Sequence, residues 1–479
     1  MQIVDSILFW ARATPARPAI IQPHGVQTFR ILARAILAAA DHFARSELDP
    51  TKPVAVAIDD SARMLVACLG LLHAGFSIAP ITPGLLQHLP ITGADTLVSE
   101  HGGLVWTDHT AILFNDAWMS AHGRGAETRP AALPGRDGSI IFFTSGSTGR
   151  PKMIVHTPQA CGQRILYSRT VTLADFQRAL VVPSLASSFG FHRVCEILHA
   201  GKTVCFAPFG QPALLLASVY DIDFIFGSIQ QALALVEIQE KGARFGLPNL
   251  KGFRVGGGKI SPQGVERIKQ SLCRNIVVAY AATEAGMVAM APYDMIAGIP
   301  EAVGFVMPEV KVEIVDASDA LLPVGAEGFV RIQTPFSSAL AAASAPGADS
   351  KKWYYPGDIG WLTDSGVLCI AGRREDVLNR GGVKLATTEF EEFLCAAPSV
   401  RDAGACSVTG EAGFAEIWVG VVLEEGADMG AFRQYIESNE TYRGNIDKMF
   451  VVEEIPRGEN RKLQRQELQA MLKSIIEDN

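Results

Sequence analysis

Between Thr144 and Lys152 the chain reads TSGSTGRPK, a turn made almost wholly of Thr, Ser and Gly that closes on Pro151 and Lys152. Gly146 and Gly149 remove Cβ atoms, so that backbone N–H groups can converge on an anion. Ser145, Ser147 and Thr148 add hydroxyl donors, and Lys152 adds a mobile charge. A nest of this kind holds polyphosphate. No Gly-Lys-Ser/Thr follows a four-residue gap, so the spacing is not that of an ordinary P-loop NTPase. A flexible Ser/Gly connection has the same composition, but the apolar run Ile140 to Phe143 ahead of it and the Pro-Lys pair behind it favour the phosphate reading.

Other stretches carry chemistry-bearing residues at intervals further on. Tyr280 to Glu284 reads YAATE, and Gly256, Gly257 and Gly258 follow the run Phe253 to Val255. Trp353 to Asp358 reads WYYPGD, Gly372 to Asp376 reads GRRED, Asn379 to Lys384 reads NRGGVK, and Pro456 to Lys462 reads PRGENRK. Taken alone each has a plainer meaning. A Thr-Glu pair caps a helix, a Gly triplet makes a tight turn, and a Lys in RGENRKLQRQ is solvated surface charge.

Taken together and in this order, the motifs resemble those of the adenylate-forming superfamily, which comprises acyl- and aryl-CoA synthetases, non-ribosomal peptide adenylation domains and luciferases. The resemblance covers nearly the whole chain. It implies that Thr144 to Lys152 bind the phosphates of ATP, that Tyr280 lies by the adenine, that Thr283 touches phosphate, and that Glu284 helps to hold Mg²⁺. Gly256, Gly257 and Gly258 would form the adenine wall, Asp358 would take both ribose hydroxyls, and Arg373 would contact ribose or phosphate. Glu375 occupies the hinge position, and Gly381, Gly382 and Lys384 would line the channel for a thiol. Lys462 would bridge the substrate carboxylate and the α-phosphate. The sequence departs from the family pattern at Ala281, Pro356, Gly458 and Arg461, while the charged positions remain.

The chemistry is consistent. A carboxylic acid is ionised at neutral pH and needs no general base to attack phosphorus. The difficulty is an anion approaching a polyanion, so catalysis should rest on positioning and on cations and dipoles. That explains why no Ser-His-Asp arrangement is needed. The acid would sit among Ser188, Phe189, Phe191, His192, Gly256, Ala281, Ala282 and Met287. The stretch PSLASSFGFHRV has no acidic residue before Glu196 to bind an α-ammonium, which argues against amino acids and for an aryl or short- to medium-chain acyl acid. The Asn typical of dihydroxybenzoate enzymes is not evident. His192 could contact the acid or the thiol, although a packing histidine is the preferred reading. The thiol acceptor implied is coenzyme A. The Arg-Gly-Gly-x-Lys wording is also similar to enzymes that load the phosphopantetheine of an acyl carrier protein. A reading of another class is a nucleotide-binding regulator that kept the fold and lost turnover.

These residues need a scaffold that brings distant segments together. Val4, Ile7, Leu8 and Ala11 recur at helical spacing, Phe29 to Phe43 repeats the pattern, and Pro53 to Asp60 reads as a buried strand. A helix ending at Gly75 and a second strand complete a βαβ unit. Thr96 to Ser99 reads as a further short strand. Strand and helix candidates alternate again to Val278, with a helix expected over Pro158 to Ala179 and strands near Ala179 to Ser184, Thr203 to Ala207, Asp221 to Ser228 and Phe253 to Ile260. The short alternating runs after Val303 imply a small barrel-like subdomain. The expected class is therefore α/β: residues 1–372 forming two doubly wound subdomains plus the small barrel, and residues 373–479 forming a small mobile α+β domain.

At 479 residues the chain exceeds a single core, and 48% hydrophobic with 19% charged residues describes an ordinary globular enzyme. A net charge of −8 argues against nucleic acid as a partner. The eight cysteines show no Cys-x-x-Cys pair, so neither a zinc site nor a disulfide framework is expected. No basic leader or run of about 18 apolar residues is present, so a cytoplasmic protein without a membrane span is expected.

Overall fold

A computed structural model describes residues 2–82, 86, 92–101, 110–119, 138–144, 152–171, 175–242, 244–258, 260–335, 353–373, 377–380, 383–409, 415–424, 426–427, 429–439, 442–444, 446–458 and 463–477. Two compact units emerge. The first holds residues 1–299, 303–312 and 332–354, and the second holds 300–302, 313–331 and 355–479.

The first unit contains two open sheets. In one, the strands run in the order Thr110–Leu113, Thr96–Ser99, Val54–Ala57, Ile78–Pro80, Ile140–Thr144 and Lys152–His156. All neighbours are parallel except the last two, which form a hairpin with Thr144 opposite Lys152 and Ile140 opposite His156. The buried strand expected at Pro53 to Asp60 is the shorter Val54–Ala57, all four of its residues buried as a parallel strand requires. The helix Ser61–Ala74 returns the chain. Asp60 caps it by accepting from Arg63 N, and Gly75 ends it in the left-handed region at φ +98°. This helix packs on Phe29–Arg45 so closely that a Cβ on Gly70 would lie 2.9 Å from the Ala39 Cβ. The first helix, Gln2–Ala13, buries Ile3, Val4 and Ile7.

The second sheet of this unit has a parallel core, Pro18–Gln22, Thr203–Cys205, Arg178–Val181, Phe224–Ser228, Gly252–Gly256 and Ile276–Ala282. Antiparallel strands flank it, Gly25–Thr28 at one edge and, on the other side, Gly286–Pro292, which pairs in turn with Ala302–Val306. Within the described residues the helix begun at Pro158 runs to Val171, and Arg178 already opens a strand. Phe142, Phe191, Phe224, Phe226 and Phe253 are all buried, each contributing about 1.5–3 kcal/mol relative to exposure.

In the second unit, Gly328–Gln333, Asp358–Leu362 and Val367–Arg373 run antiparallel. A hairpin, Val377–Arg380 with Val383–Ala386, leads to the helix Thr387–Cys395. A three-stranded sheet follows. Val400–Thr409 and Ala415–Leu423 are antiparallel, and Lys448–Val451 lies parallel to the second of them. Phe390, Leu394, Phe432 and Ile436 form one of its cores, while Leu468 and Leu472 of the helix Arg465–Glu477 form another with Trp418. All eight cysteines are unpaired and only Cys395 is exposed. Among the described residues no helix is long and apolar enough to cross a membrane.

Candidate functional site

The Ser/Thr/Gly turn is bracketed by the hairpin Ile140–Thr144 and Lys152–His156, so a strand does run into it and Lys152 opens the strand leaving it. Ser145, Gly146, Ser147, Thr148 and Gly149 lie outside the described residues. At the other end of that strand, His156 is wholly buried, and its Nε2 lies 3.0 Å from the carbonyl oxygen of Thr283. A carbonyl only accepts, so Nε2 carries the proton and Nδ1 is a bare lone pair, which has no partner. Eight residues on, Arg164 of the helix Pro158–Val171 donates from Nη2 to the carbonyl of Glu284 at 2.7 Å. The lysine-bearing strand and the helix after it therefore both hold the Thr283-Glu284 backbone.

Thr283 and Glu284 occupy the turn of a β-hairpin, not the start of a helix: Ala282 pairs with Gly286, whose φ of +75° closes the turn. A bulge between Tyr280 and Ala281 interrupts the ladder one turn earlier, the kind of irregularity that re-aims side chains beside a site. Gly256 lies in register with Ala279 on the neighbouring strand, which brings the glycine triplet against the Tyr280 segment. A Cβ on Gly256 would sit 2.9 Å from the Ala279 carbonyl oxygen, and Gly257 follows at φ +82°. Only glycine accepts both the approach and the backbone. Gly258 stands next to Gln230 and Ile229.

Ser188 and Phe189 open the helix Ser188–His199, capped by the Ser187 hydroxyl, which accepts from Gly190 N. Phe191 is 1% exposed and meets Phe142 edge-on, so it belongs to the core. His192 is buried too, and donates from Nδ1 to the Ser188 carbonyl at 2.9 Å, leaving Nε2 unpartnered. Burial, with Arg164 nearby, pushes its pKa down to about 3 and that of His156 lower still, so both imidazoles are neutral. The His192 ring lies tilted against Phe142 and edge-on to His156, as the packing reading expects, in the first turns of a helix whose start is partly exposed. Ala281, Ala282 and Met287 are neighbours across the same hairpin, Ala281 opposite Met287.

Sequence reasoning missed the charged residues beneath this surface. Arg164, Arg193, Arg254 and Glu196 are all buried, and Arg193 forms an ion pair with Glu196. Arg254 alone of these sits inside a short apolar strand pattern, GFRVG, and that was the available signal. One donor atom each from His156, Cys161 and His192 lies within 4.8 Å of the others, a metal-like grouping. The Arg164 guanidinium beside all three opposes a cation there. The carboxylate of Glu284 is a better cation ligand. It is partly exposed and takes part in no hydrogen bond or ion pair among the described residues.

In the second unit, Asp358 opens a strand, is 4% exposed, and lies directly across from Arg373 in the antiparallel register. The two residues assigned to ribose are thus strand partners. Glu375, Gly381, Gly382 and Lys462 lie outside the described residues, and Lys384 pairs with Asn379 in a short hairpin. The segment that contains Lys462 is closed at its neck by an antiparallel bridge between Arg457 and Leu463. Arg457 is anchored in turn to Asp402, Nε to Oδ2 at 2.8 Å.

The chain spans about half the length of two curated relatives it resembles. One is a mitochondrial medium-chain acyl-CoA ligase of Macaca fascicularis, 24% identical over 61% of this chain and 50% of its own. The other is the medium-chain fatty-acid–CoA ligase of Escherichia coli, 26% identical over 70% of this chain and 58% of its own. An uncharacterized acyl–CoA ligase of Bacillus subtilis is 23% identical over 88% of both chains. Among solved structures, the O-succinylbenzoate coenzyme A synthetase of Bacillus subtilis in complex with AMP superposes with a TM-score of 0.79 at 19% identity, over 97% of this chain and 98% of that one. An amide bond synthetase from Marinactinospora thermotolerans gives a TM-score of 0.76 at 19% identity over 98% of both. These likenesses establish the α/β fold of adenylate-forming enzymes. A sequence model described as "AMP-binding enzyme" matches residues 9–339, well over half of the chain, and by that match this chain belongs to the AMP-binding enzyme family.

Proposed function

We propose that this chain uses ATP to activate a carboxylic acid, aryl or short- to medium-chain acyl, and passes the acyl group to the thiol of coenzyme A. The observation that carries the reading is the pair of bonds from His156 and Arg164 to the Thr283 and Glu284 carbonyls. They join the strand that begins at Lys152 to the turn that bears the free carboxylate. With a polyphosphate on Thr144 to Lys152, the Glu284 carboxylate and phosphate oxygens would make up the donor set that magnesium prefers. When bound there, Mg²⁺ neutralises phosphate charge.

In the first half-reaction a carboxylate oxygen attacks the α-phosphorus, the bond from that phosphorus to the bridging oxygen breaks, and pyrophosphate leaves. Lys152, Lys462 and the turn amides offset the charge that builds up. Asp358 accepts from the ribose hydroxyls, with Arg373 opposite it. Tyr280 and the Gly256 to Gly258 wall hold the base. In the second half-reaction the thiol sulfur bonds to the acyl carbon and loses its proton as AMP departs. We place the change between them at Glu375, about which residues 373–479 turn, withdrawing Lys462 and presenting Gly381, Gly382 and Lys384 to the pantetheine arm. The names of the relatives favour coenzyme A over the phosphopantetheine of a carrier protein.

Pyrophosphate release, measured with ATP, Mg²⁺ and a panel of acids, tests the reading, and mass analysis of coenzyme A and carrier-protein products identifies the acceptor. Acid-dependent release is expected. No release with any acid of the panel would favour a silent nucleotide-binding protein. Lys462→Ala should lower adenylate formation by about a hundredfold or more while leaving the melting temperature unchanged. Undiminished turnover would remove Lys462 from the reaction.

A further inference from the structure

The most unusual charge in the first unit is Arg254. It lies within the strand Gly252–Gly256, is 3% exposed, and has no carboxylate bonded to it. Its Nε has no partner, and its Nη2 reaches the thioether sulfur of Met287 at 3.2 Å. The guanidinium lies over the ring of Phe226, 5.8 Å from the centroid. The buried carboxylate nearest in kind, Glu196, is ion-paired with Arg193. The charge of Glu196 acts on Arg164, Arg193 and Arg254 alike, and Glu284 acts on Arg164 as well. Burial and the neighbouring Arg193 push the Arg254 pKa down, and the Glu196 carboxylate opposes them without bonding to the guanidinium.

A buried charge without a partner is costly, and its usual resolution is a ligand of opposite sign. Arg254 is placed to meet one. Side chains two apart on a strand share a face, so Arg254 shares its face with Gly256 of the glycine wall. Met287, which caps the guanidinium, is partly exposed and stands opposite Ala281 in the hairpin assigned to the acid. A thioether is a weak neutral acceptor on a flexible chain, easily displaced. Nε and one terminal nitrogen make up the side-on edge of a guanidinium, which a carboxylate matches with two parallel bonds.

We infer that the acid activated here carries a second carboxylate, which displaces the Met287 sulfur and pairs side-on with Arg254 while the first carboxylate is adenylated. The inference rests on the proposed function and narrows its substrate to diacids. A neutral acyl or aryl tail would leave the guanidinium unpaired, whereas the diacid removes the penalty on binding.

Matched pairs test this: linear diacids from glutarate to suberate and terephthalate, each against its monomethyl ester, with pyrophosphate release as the readout. At least one diacid should exceed its half-ester in kcat/KM by about a hundredfold, and Arg254→Met should bring that ratio toward one. Arg254→Lys, which keeps the charge but not the fork, should fall between. Melting curves of both variants report whether they fold. Calorimetric titration of the same pairs into wild type and Arg254→Met gives a readout that needs no turnover. Diacids and half-esters used equally by the wild type, or a ratio unmoved by Arg254→Met, would overturn the inference and leave the proposed function standing. Diacid binding that depends on Arg254, with pyrophosphate never released, would do the reverse.

Discussion

At the scale of single residues, the site is held by groups whose protonation is fixed by burial. His192 and His156 stay neutral in the folded chain because water cannot reach them and Arg164 is close. In the unfolded chain both regain an ordinary pKa near 6.5. Between that value and the folded value of about 3 for His192, the unfolded state binds a proton that the native state refuses, so acidification favours unfolding. Stability should be level above pH 6.5 and fall by on the order of a kcal/mol per pH unit for each histidine below it. Carboxylates titrate lower, so melting temperatures between pH 7.5 and 5 report on histidines, and the His192 variant separates its share. His192→Gln should lose stability less steeply over that range than the wild type. Equal slopes would mean that protons reach the ring in the native state.

At the scale of elements, the hairpin Ile276–Ala282 with Gly286–Pro292 and the strand Gly252–Gly256 make the floor on which the proposal depends. Gly256→Ala would bring a methyl within 2.9 Å of the Ala279 carbonyl, a backbone atom that cannot swing aside. We expect a loss of about 1–3 kcal/mol in stability and weaker ATP binding, read from melting curves with and without nucleotide. A variant as stable as the wild type would show that the strands are not so close. This scale also shows what was legible beforehand. Glycines, hydroxyls and paired motifs are read directly, because their chemistry is local. The strand at Thr96–Ser99 and the helix end at Gly75 followed from pattern and turn chemistry. Read locally, the Thr-Glu pair is a helix cap, and only the return strand Gly286–Pro292 makes it a turn. His156, Arg164 and Arg254 were not legible as site residues. Their partners are 127, 120 and 33 positions away, and no local rule couples such distances.

At the scale of the molecule, the second unit carries Asp358, the short hairpin with Lys384, and the bridge from Arg457 to Leu463 on either side of Lys462 in sequence. If residues 373–479 turn about Glu375 between half-reactions, backbone rotation at that residue is essential. Glu375→Pro fixes φ and removes an N–H, so it should preserve pyrophosphate release while lowering thioester formation by about tenfold or more. The two half-reactions assayed separately check it, and equal loss of both would place the hinge elsewhere.

The cysteines bear on how that rotation could be followed. Seven are sealed inside, and Cys395, exposed at the end of the helix Thr387–Cys395, lies within the segment proposed to move. Partial burial and the nearby Asp402 push its thiol up to about 11, so it reacts slowly at neutral pH and faster in mild alkali. A maleimide fluorophore applied there would attach at one position of the natural sequence, giving a reporter of orientation without any engineered substitution.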